Sequence, residues 1–503
     1  MTITADRPPS VTTLTCQSAT AALRRRDVVL DVPAEVATRA LDEAITHLRF
    51  SQPDLSAYTR TTTRQKRTAI VLGVVFLAIL IVFPVTTLQV VFGLITTIYL
   101  AVLFYKVRCL QRGLGHDHMI HITDDEARDF PADELPTYSV LVPAYREPEV
   151  IGHLLARLEE LDYPRKKLQV LVLLEEDDAE TLAAIRKARP KSYIRTVVVP
   201  ASEPQTKPKA CNYGLEFATG ELVTIYDAED RPEPLQLRRA AIAFRSVPDD
   251  VVCLQALLGY FNPKQNRITE WFTAEYLSWF AHVLPGLVSM EVPIPLGGTS
   301  NHMRTAVVRE LGAWDPYNVT EDADLGMRLH RRGLRTRVLD SYTYEEANSD
   351  FVNWVKQRSR WYKGYLQTWL VHMRHPRKVR EQIGLRGMAG MTFFVGGTPT
   401  LAVLNPFFWT LTLLWLILGP GFVERFFPNP TYFLALFCMV IGNALMIYLG
   451  LLSIRHQKRP ELVVGALTVP IYWVMMSLAA VKAFAQLVRA PSFWEKTTHG
   501  LFK

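Results

Sequence analysis

Charge, cysteine and phosphate-binding glycine loops are scarce in this 503-residue chain, and each shortage removes a class of function. Charged residues make up 21% of it against 49% hydrophobic, and the apolar residues gather in long runs, so part of the chain is expected in a bilayer. The five cysteines, Cys16, Cys109, Cys211, Cys253 and Cys438, are scattered and form no C-x-x-C. That argues against a disulfide framework or a cysteine zinc site and fits a reducing cytoplasmic setting. Neither G-x-G-x-x-G nor a Walker loop occurs, which counts against dinucleotide oxidoreductases and P-loop enzymes. Residues 1–67 lack the apolar core of a cleavable signal peptide and are expected to stay cytosolic. The formal charge of +7 does not call for nucleic acid, because the basic residues cluster beside apolar runs, as in 60–67 and 455–459.

Residues 68–105 are almost uncharged and nearly twice as long as the roughly 20 residues a spanning helix needs. Pro84 breaks the run, so it reads as a helical hairpin. Lys66, Arg67, Lys106 and Arg108 flank its outer ends, which puts both ends in the cytoplasm. Toward the C-terminus, 387–418 with breaks at Pro399 and Pro406, then 431–452, then 462–488, count as two, one and one further spans. The expected total is six. That count places the RHQKR segment, 455–459, outside, against the positive-inside rule. Reading 387–418 as one span plus a re-entrant piece puts it inside, but then leaves 494–500 outside unless 462–488 folds back. The expected layout is thus a cytosolic segment 1–67, a hairpin 68–106, a cytosolic domain 131–365, an interfacial segment 366–386, a membrane region 387–488 and a cytosolic tail 489–503. Within the first segment, 34–50 has helical apolar spacing and is expected to dock on the main domain. The basic stretch 371–380, with Arg374, Arg377, Lys378 and Arg380, is expected to meet anionic headgroups.

Between 131 and 365 the pattern changes to short β-branched runs. YSVLVPAY (138–145), LQVLVLLEEDD (168–178), IRTVVVP (194–200) and LVTIYDAED (222–230) read as strands, with helical segments such as 149–161 and 179–188 between them. This rhythm predicts a mostly parallel α/β sheet with helices on both faces. In such sheets the ligand crevice lies at the carboxyl ends of the strands. Asp227, Glu229 and Asp230 are therefore well placed to hold a divalent metal that bridges a nucleotide's phosphates, although D-x-x-D alone also suits a solvated turn.

Further on come LGGTSNHMR (296–304), VTEDADLGMRL (319–329) and VKQRSRWYKGYLQTWL (355–370). Taken singly, T-E-D is a helix start and Q-R-S-R-W a basic amphipathic helix. In this order, Glu175-Glu176, Asp227-Ala228-Glu229-Asp230, Thr320-Glu321-Asp322 and Gln357-Arg358-Ser359-Arg360-Trp361 resemble the motifs of membrane-integrated, processive family 2 glycosyltransferases. That group contains bacterial cellulose synthase and hyaluronan synthase. The resemblance covers most of the chain after Thr68 and departs from the pattern at the early acids and at D-A-E-D.

The resemblance implies a GT-A-type nucleotide-sugar domain inserted between α-helical transmembrane segments of the inner membrane, with the catalytic domain cytoplasmic. It also implies a UDP-sugar donor (UDP-glucose or UDP-N-acetylglucosamine), a polysaccharide acceptor, and magnesium or manganese. Pro143, Ala144, Tyr145 and Glu147 would flank the nucleobase, with Glu176 or Asp177 near the uracil or ribose. Lys209 and Asn212 would lie beside the ribose and diphosphate. Asp227 with Glu229, and Asp230 beside them, would hold the metal. Asp322, next to Glu321, would be the base. Gln357, Arg358 and Arg360 would touch the diphosphate, Trp361 would form the acceptor floor, and the glycines around Gly298 and Thr299 would let backbone approach the sugar chain. The 494–500 tail resembles the end of hyaluronan synthases, which implies a cytosolic place near the active site.

Inverting transfer needs these groups: one carboxylate takes the acceptor hydroxyl's proton, and cations neutralise the departing diphosphate. A transferase making a lipid-linked sugar would share the metal acids without needing the Trp361 floor. A non-enzymatic receptor or transporter would need none of the ordered acids.

Overall fold

Alternate residues of the central strands point into two different cores, which is what a strand buried on both faces requires. In the computed structural model, which describes residues 28–114, 118–419, 421, 427, 430–490, 493 and 495, Val140, Val142, Val170 and Val172 face one core. Leu141, Leu171, Leu173 and Val197 face the other. The strands are β1 (Met119–Ile120), β2 (Tyr138–Ala144), β3 (Leu168–Glu175), β4 (Ile194–Val199), β5 (Leu222–Ile225), β6 (Arg231–Pro232), β7 (Val251–Tyr260), β8 (Asn301–Arg304) and β9 (Arg335–Glu345). Their order is β1-β9-β7-β8-β5-β2-β3-β4, with β6 on β9.

Only β8 and β6 run antiparallel to their neighbours. The carboxyl ends of β2, β3, β5, β7 and β9 therefore gather at one edge, where β8 begins. All four strands expected from the sequence are present; the sheet starts earlier than expected, at Met119, and β7, β8 and β9 extend it.

The helix Ala34–Ser51 buries Ala40, Ala44 and Leu48. Asn212, on the helix Lys207–Glu216, fastens it by donating to the carbonyls of Ala44 (2.9 Å) and Trp314 (2.7 Å). Cys109, Cys211, Cys253 and Cys438 are buried and free; Cys16 lies outside the described residues.

Five helices among the described residues are long and apolar enough to cross a membrane: Thr63–Val82, Pro84–Gly113, Pro376–Leu418, Thr431–His456 and Val469–Arg489. The first two form the expected hairpin. The third corrects the count of six, because 387–418 is one helical run rather than two. Pro399 falls in its first turn after a π-helical stretch at Thr392–Gly396, and Pro406 sits inside without ending it, as membrane helices tolerate. The last helix packs on Phe351–His372, where Tyr472 hydroxyl meets Glu275 and Arg358. Beyond its end, the Phe493 carbonyl accepts from Lys363 Nζ at 2.6 Å and Glu495 pairs with Lys482 at 2.8 Å. The rest of 494–500 lies outside the described residues.

Candidate active site

A cavity of about 970 Å³ opens at the carboxyl edge of the sheet and continues between the apolar helices. Its floor follows from the topology. β2 delivers Pro143, Ala144, Tyr145 and Glu147; β5 delivers Asp227 and Glu229; β9 delivers Glu345; and the loop into β8 delivers Gly298 and Thr299. The helix Glu321–Arg331 brings Glu321 and Asp322 to the cavity at its first turn, and Phe351–His372 brings Gln357, Arg358, Arg360 and Trp361.

These two helices meet at Gly364. A Cβ there would stand 2.4 Å from the Thr320 side chain, so only glycine lets the helix carrying Arg360 lie this close to the start of the helix carrying Asp322. Asp322 is held by the Ala323 N–H on its Oδ1 at 2.7 Å. A Cβ on Gly298 would come within 3.3 Å of its Oδ2, so the bare glycine keeps the carboxylate's approach open.

The electrostatics are dominated by crowded acids. Burial first, then the charges of Asp227 and Glu229, push the Asp230 carboxyl well above the usual range. Burial and the charges of Asp230, Glu229 and Asp227 do the same to Glu345. Asp230 Oδ1 is buried without a partner. Its other oxygen accepts the Asp227 N–H at 2.8 Å and faces the Thr299 hydroxyl. Lys207, which the sequence reading passed over for Lys209, pairs with Asp227 and donates to the Gly298 carbonyl at 2.8 Å.

Five expected residues do not line the cavity. Lys209 is fully buried on Glu175 (2.8 Å), and Asn212 is a structural pin for the N-terminal helix. Glu176 turns out to accept the Ala201 N–H. Asp177 stands one layer behind, accepting from the Tyr145 hydroxyl (2.9 Å) and Gln205 (3.0 Å), whose own side chains reach the cavity wall. Asp230 is folded under Asp227. Arg358 does line the cavity but is committed to Glu275 and Tyr472. Arg360, expected beside it, sits within the field of Glu321, Asp322, Asp227 and Glu229, so of the two arginines expected at the diphosphate it is Arg360 that faces the cavity acids. Trp361 lines the cavity beside Tyr276 at 6.1 Å, nearly parallel, and Phe272 at 5.8 Å.

Sequence reasoning also missed Glu345 and Glu275. The first carried the same signal as Asp227, an acid at a strand end, in a strand whose alternating charges hid it. The second acts through a contact 83 residues away in sequence, which no local pattern announces.

Burial and the charge of Asp322 hold the Glu321 carboxyl above the ordinary carboxylate range. A raised folded-state value means that the carboxyl contributes its full stability below the unfolded value, about 4.3. That contribution is lost as pH rises through the folded value. Glu321→Gln is thus expected to flatten the melting temperature between about pH 4.3 and neutrality, and to raise it at pH 7.5 by roughly 2–4 °C for each kcal/mol relieved. Parallel pH scans of both proteins by differential scanning fluorimetry check this; identical curves would refute it.

The comparisons with known proteins agree with this architecture. A family model described as glycosyl transferase family 2 matches residues 139–302, and one described as glycosyl transferase family group 2 matches 222–451. The probable glycosyltransferase YdaM of Bacillus subtilis is 25% identical over 52% of this chain and 63% of its own length. A beta-monoglucosyldiacylglycerol synthase of Synechocystis is 25% identical over 73% of this chain and 75% of its own. The chain spans between half and 63% of the length of the first four curated relatives it matches. In structure it is similar to a mannosyltransferase of Pyrobaculum calidifontis in complex with GDP-Man and Mn2+, with a TM-score of 0.52 at 18% identity, over 80% of this chain and 99% of that one. Residues 139–302 and 222–451 thus match glycosyltransferase family 2 models, on a mostly parallel, GT-A-like α/β sheet.

Proposed function

We propose, with the family 2 glycosyltransferase domains as premise, that this protein is an inverting, metal-dependent transferase that moves sugar from a UDP-sugar to a growing polysaccharide and passes the polymer between its own membrane helices. One observation carries the reading: the cavity that holds Asp227, Asp322 and Arg360 does not close above Trp361. It runs on between the apolar helices, past Asn405, Trp409, Trp415, Tyr432, Asn443 and Trp473. Indole and phenol faces suit the C–H faces of pyranoses, and the amides suit their hydroxyls.

The acids fit a divalent cation. The charges of Asp227 and Glu229 help raise the carboxyls of Asp230 and Glu345, Asp230 Oδ1 has no partner among the described residues, and Asp227, Glu229 and Glu345 line the cavity. Among the described residues no three His, Cys, Asp or Glu side chains group closely enough to hold a metal by themselves. The remaining ligands would come from the donor's diphosphate, as magnesium sites commonly draw on substrate phosphates.

Topology supports the same reading. The Phe493 carbonyl accepts from Lys363 and Glu495 pairs with Lys482, so in this reading residues 372 and 493 share one side of the membrane and an even number of crossings separates them. In this reading Pro376–Leu418 and Thr431–His456 cross, and Val469–Arg489, which packs on both Phe351–His372 and Gly397–Leu418, does not. Four crossings leave 455–459 in the cytoplasm of an inner-membrane protein, which removes the conflict with the positive-inside rule.

A second reading, transfer of a sugar to a membrane lipid, is favoured by the apolar stretch of the same cavity around Leu103, Leu401, Met446 and Ile447, which suits acyl chains. The name of the Synechocystis relative points the same way. The two part at Trp361. Purified protein given labelled nucleotide sugars is expected to make a polymer, and Trp361→Ala to shorten or eliminate it while UDP binding stays within about twofold, since the indole stacks on sugar rather than nucleotide. A product consisting only of a monoglycosylated lipid, unaltered in kind by Trp361→Ala, would overturn the polymer reading in favour of the lipid one.

A further inference from the structure

A second cavity, of about 350 Å³, lies at the opposite end of the helix that begins with Glu321 and Asp322. It forms where residues 51–55, ahead of the first apolar helix, meet the start of the third. Its walls are basic. Arg328 is already neutralised by Asp324 at 2.7 Å, but Arg331, Arg332 and Lys378 are not. Among the described residues the one carboxylate lining it is Asp54, which faces His375 at 3.4 Å.

Arg331 is the informative residue. Only 9% exposed, it donates from Nε to Gln382 Oε1 at 2.8 Å and from its Nη1 toward His372 Nδ1 at 3.0 Å. His372 Nε2 faces Asp324 Oδ1 at 3.0 Å. That bond places the imidazole proton on Nε2 and leaves Nδ1 as acceptor, so neither partner of Arg331 carries negative charge. A guanidinium taken out of water without an anion is costly, and its fork geometry matches the oxygens of a phosphate. Lys378 is exposed and forms no ion pair among the described residues, and Arg332 touches only the Gln52 side-chain oxygen at 3.4 Å. The volume falls within the range of small-ligand pockets.

We propose that this cavity binds a phosphate group, as a phosphomonoester or phosphodiester, between Arg331, Arg332 and Lys378. The site does not depend on the transferase reading. Its position gives it reach: Arg331 ends the helix that carries Asp322, and His372 ends the helix that carries Arg360 and Trp361. A bound phosphate ties these two ends together. At the root of a membrane helix, the phosphate is supplied either by a lipid headgroup or by a soluble phosphorylated molecule.

The test uses full-length protein in dodecyl maltoside, which is free of phosphate. One arm titrates glycerol 3-phosphate, the other phosphatidylglycerol in mixed micelles, each read by thermal melting against potassium chloride at equal ionic strength. Saturable stabilisation is expected in at least one arm, with the half-saturating concentration raised about tenfold in Lys378→Gln, as for one lost charge-assisted contact. Because Lys378 is exposed, that variant keeps its fold; Arg331→Lys, which keeps charge and loses the fork, is expected to weaken binding likewise. A response to glycerol 3-phosphate alone identifies a soluble ligand, and a response to phosphatidylglycerol alone identifies a headgroup. No saturable response in either arm, or a response equal in wild type and both variants, would overturn the proposal.

Discussion

Asp322→Asn is expected to lower turnover by roughly 10²- to 10⁴-fold, the range for loss of a general base, while leaving donor affinity nearly unchanged. The argument begins with what the substitution keeps. The side chain is isosteric, its Oδ1 still accepts the Ala323 N–H, and the helix start at Glu321 keeps its Gly364 contact through Thr320. What it removes is a carboxylate whose proton affinity burial has raised above the ordinary range, which makes it a stronger base than a solvated aspartate. The Ala323 N–H and the charges of Lys207 and Arg360 offset part of that rise. Gly298 leaves its outer oxygen open to the cavity, where an acceptor hydroxyl has to arrive. Single-turnover transfer measured beside calorimetric UDP binding separates the two effects. Turnover within a few-fold of wild type would reduce Thr320-Glu321-Asp322 to the beginning of a helix.

The residues that sequence reasoning placed well are those whose role follows from the local chain. β2, β3 and β5 are buried on both faces, so they appear as unbroken apolar runs, and the acids after β5 fall at the crevice by topology alone. Gln357 and Trp361 share a face through helical spacing. The failures involve choices that local patterns leave open. In the segment TKPKACNYG the two lysines, Lys207 and Lys209, are separated only by Pro208, and which of them turns to the cavity depends on how Lys207–Glu216 is rotated against β3. The rotation buries Lys209 on Glu175 and gives Asp227 to Lys207. Asn212 was drawn away in the same manner by the N-terminal helix, whose docking is a contact across 168 residues. Arg358 and Arg360 differ likewise: helical twist sends one to Glu275 and the other among the cavity acids. The helix count failed because proline in a membrane helix does not have the breaking effect that it has in water.

Asp227→Asn is expected to abolish detectable transfer and to remove the magnesium dependence of UDP binding, with the fold retained. Asp227 directly follows Tyr226 at the end of β5, and its N–H fixes Asp230 at 2.8 Å, a bond the substitution leaves in place. Its carboxylate pairs with Lys207, which in turn holds the Gly298 carbonyl at 2.8 Å. The group therefore sits where the Gly298 loop and Asp322 converge on the cavity, the place the proposed reaction gives to a diphosphate. In the proposed reaction a divalent cation held there would supply the positive charge that a departing diphosphate requires. Asparagine cannot supply that site's negative charge, and it leaves the partly buried Lys207 ammonium facing an amide. In the absence of magnesium, Lys207 and Arg360 still offer cations to the phosphates, so wild type and variant are expected to bind UDP alike in EDTA. In magnesium only the wild type is expected to gain affinity, by the order of 10²-fold that one lost preorganised electrostatic contact costs. Calorimetry in both buffers resolves the two cases. An equal gain with magnesium in Asp227→Asn would move the cation site to Glu229 and Glu345, the other acids on the cavity wall.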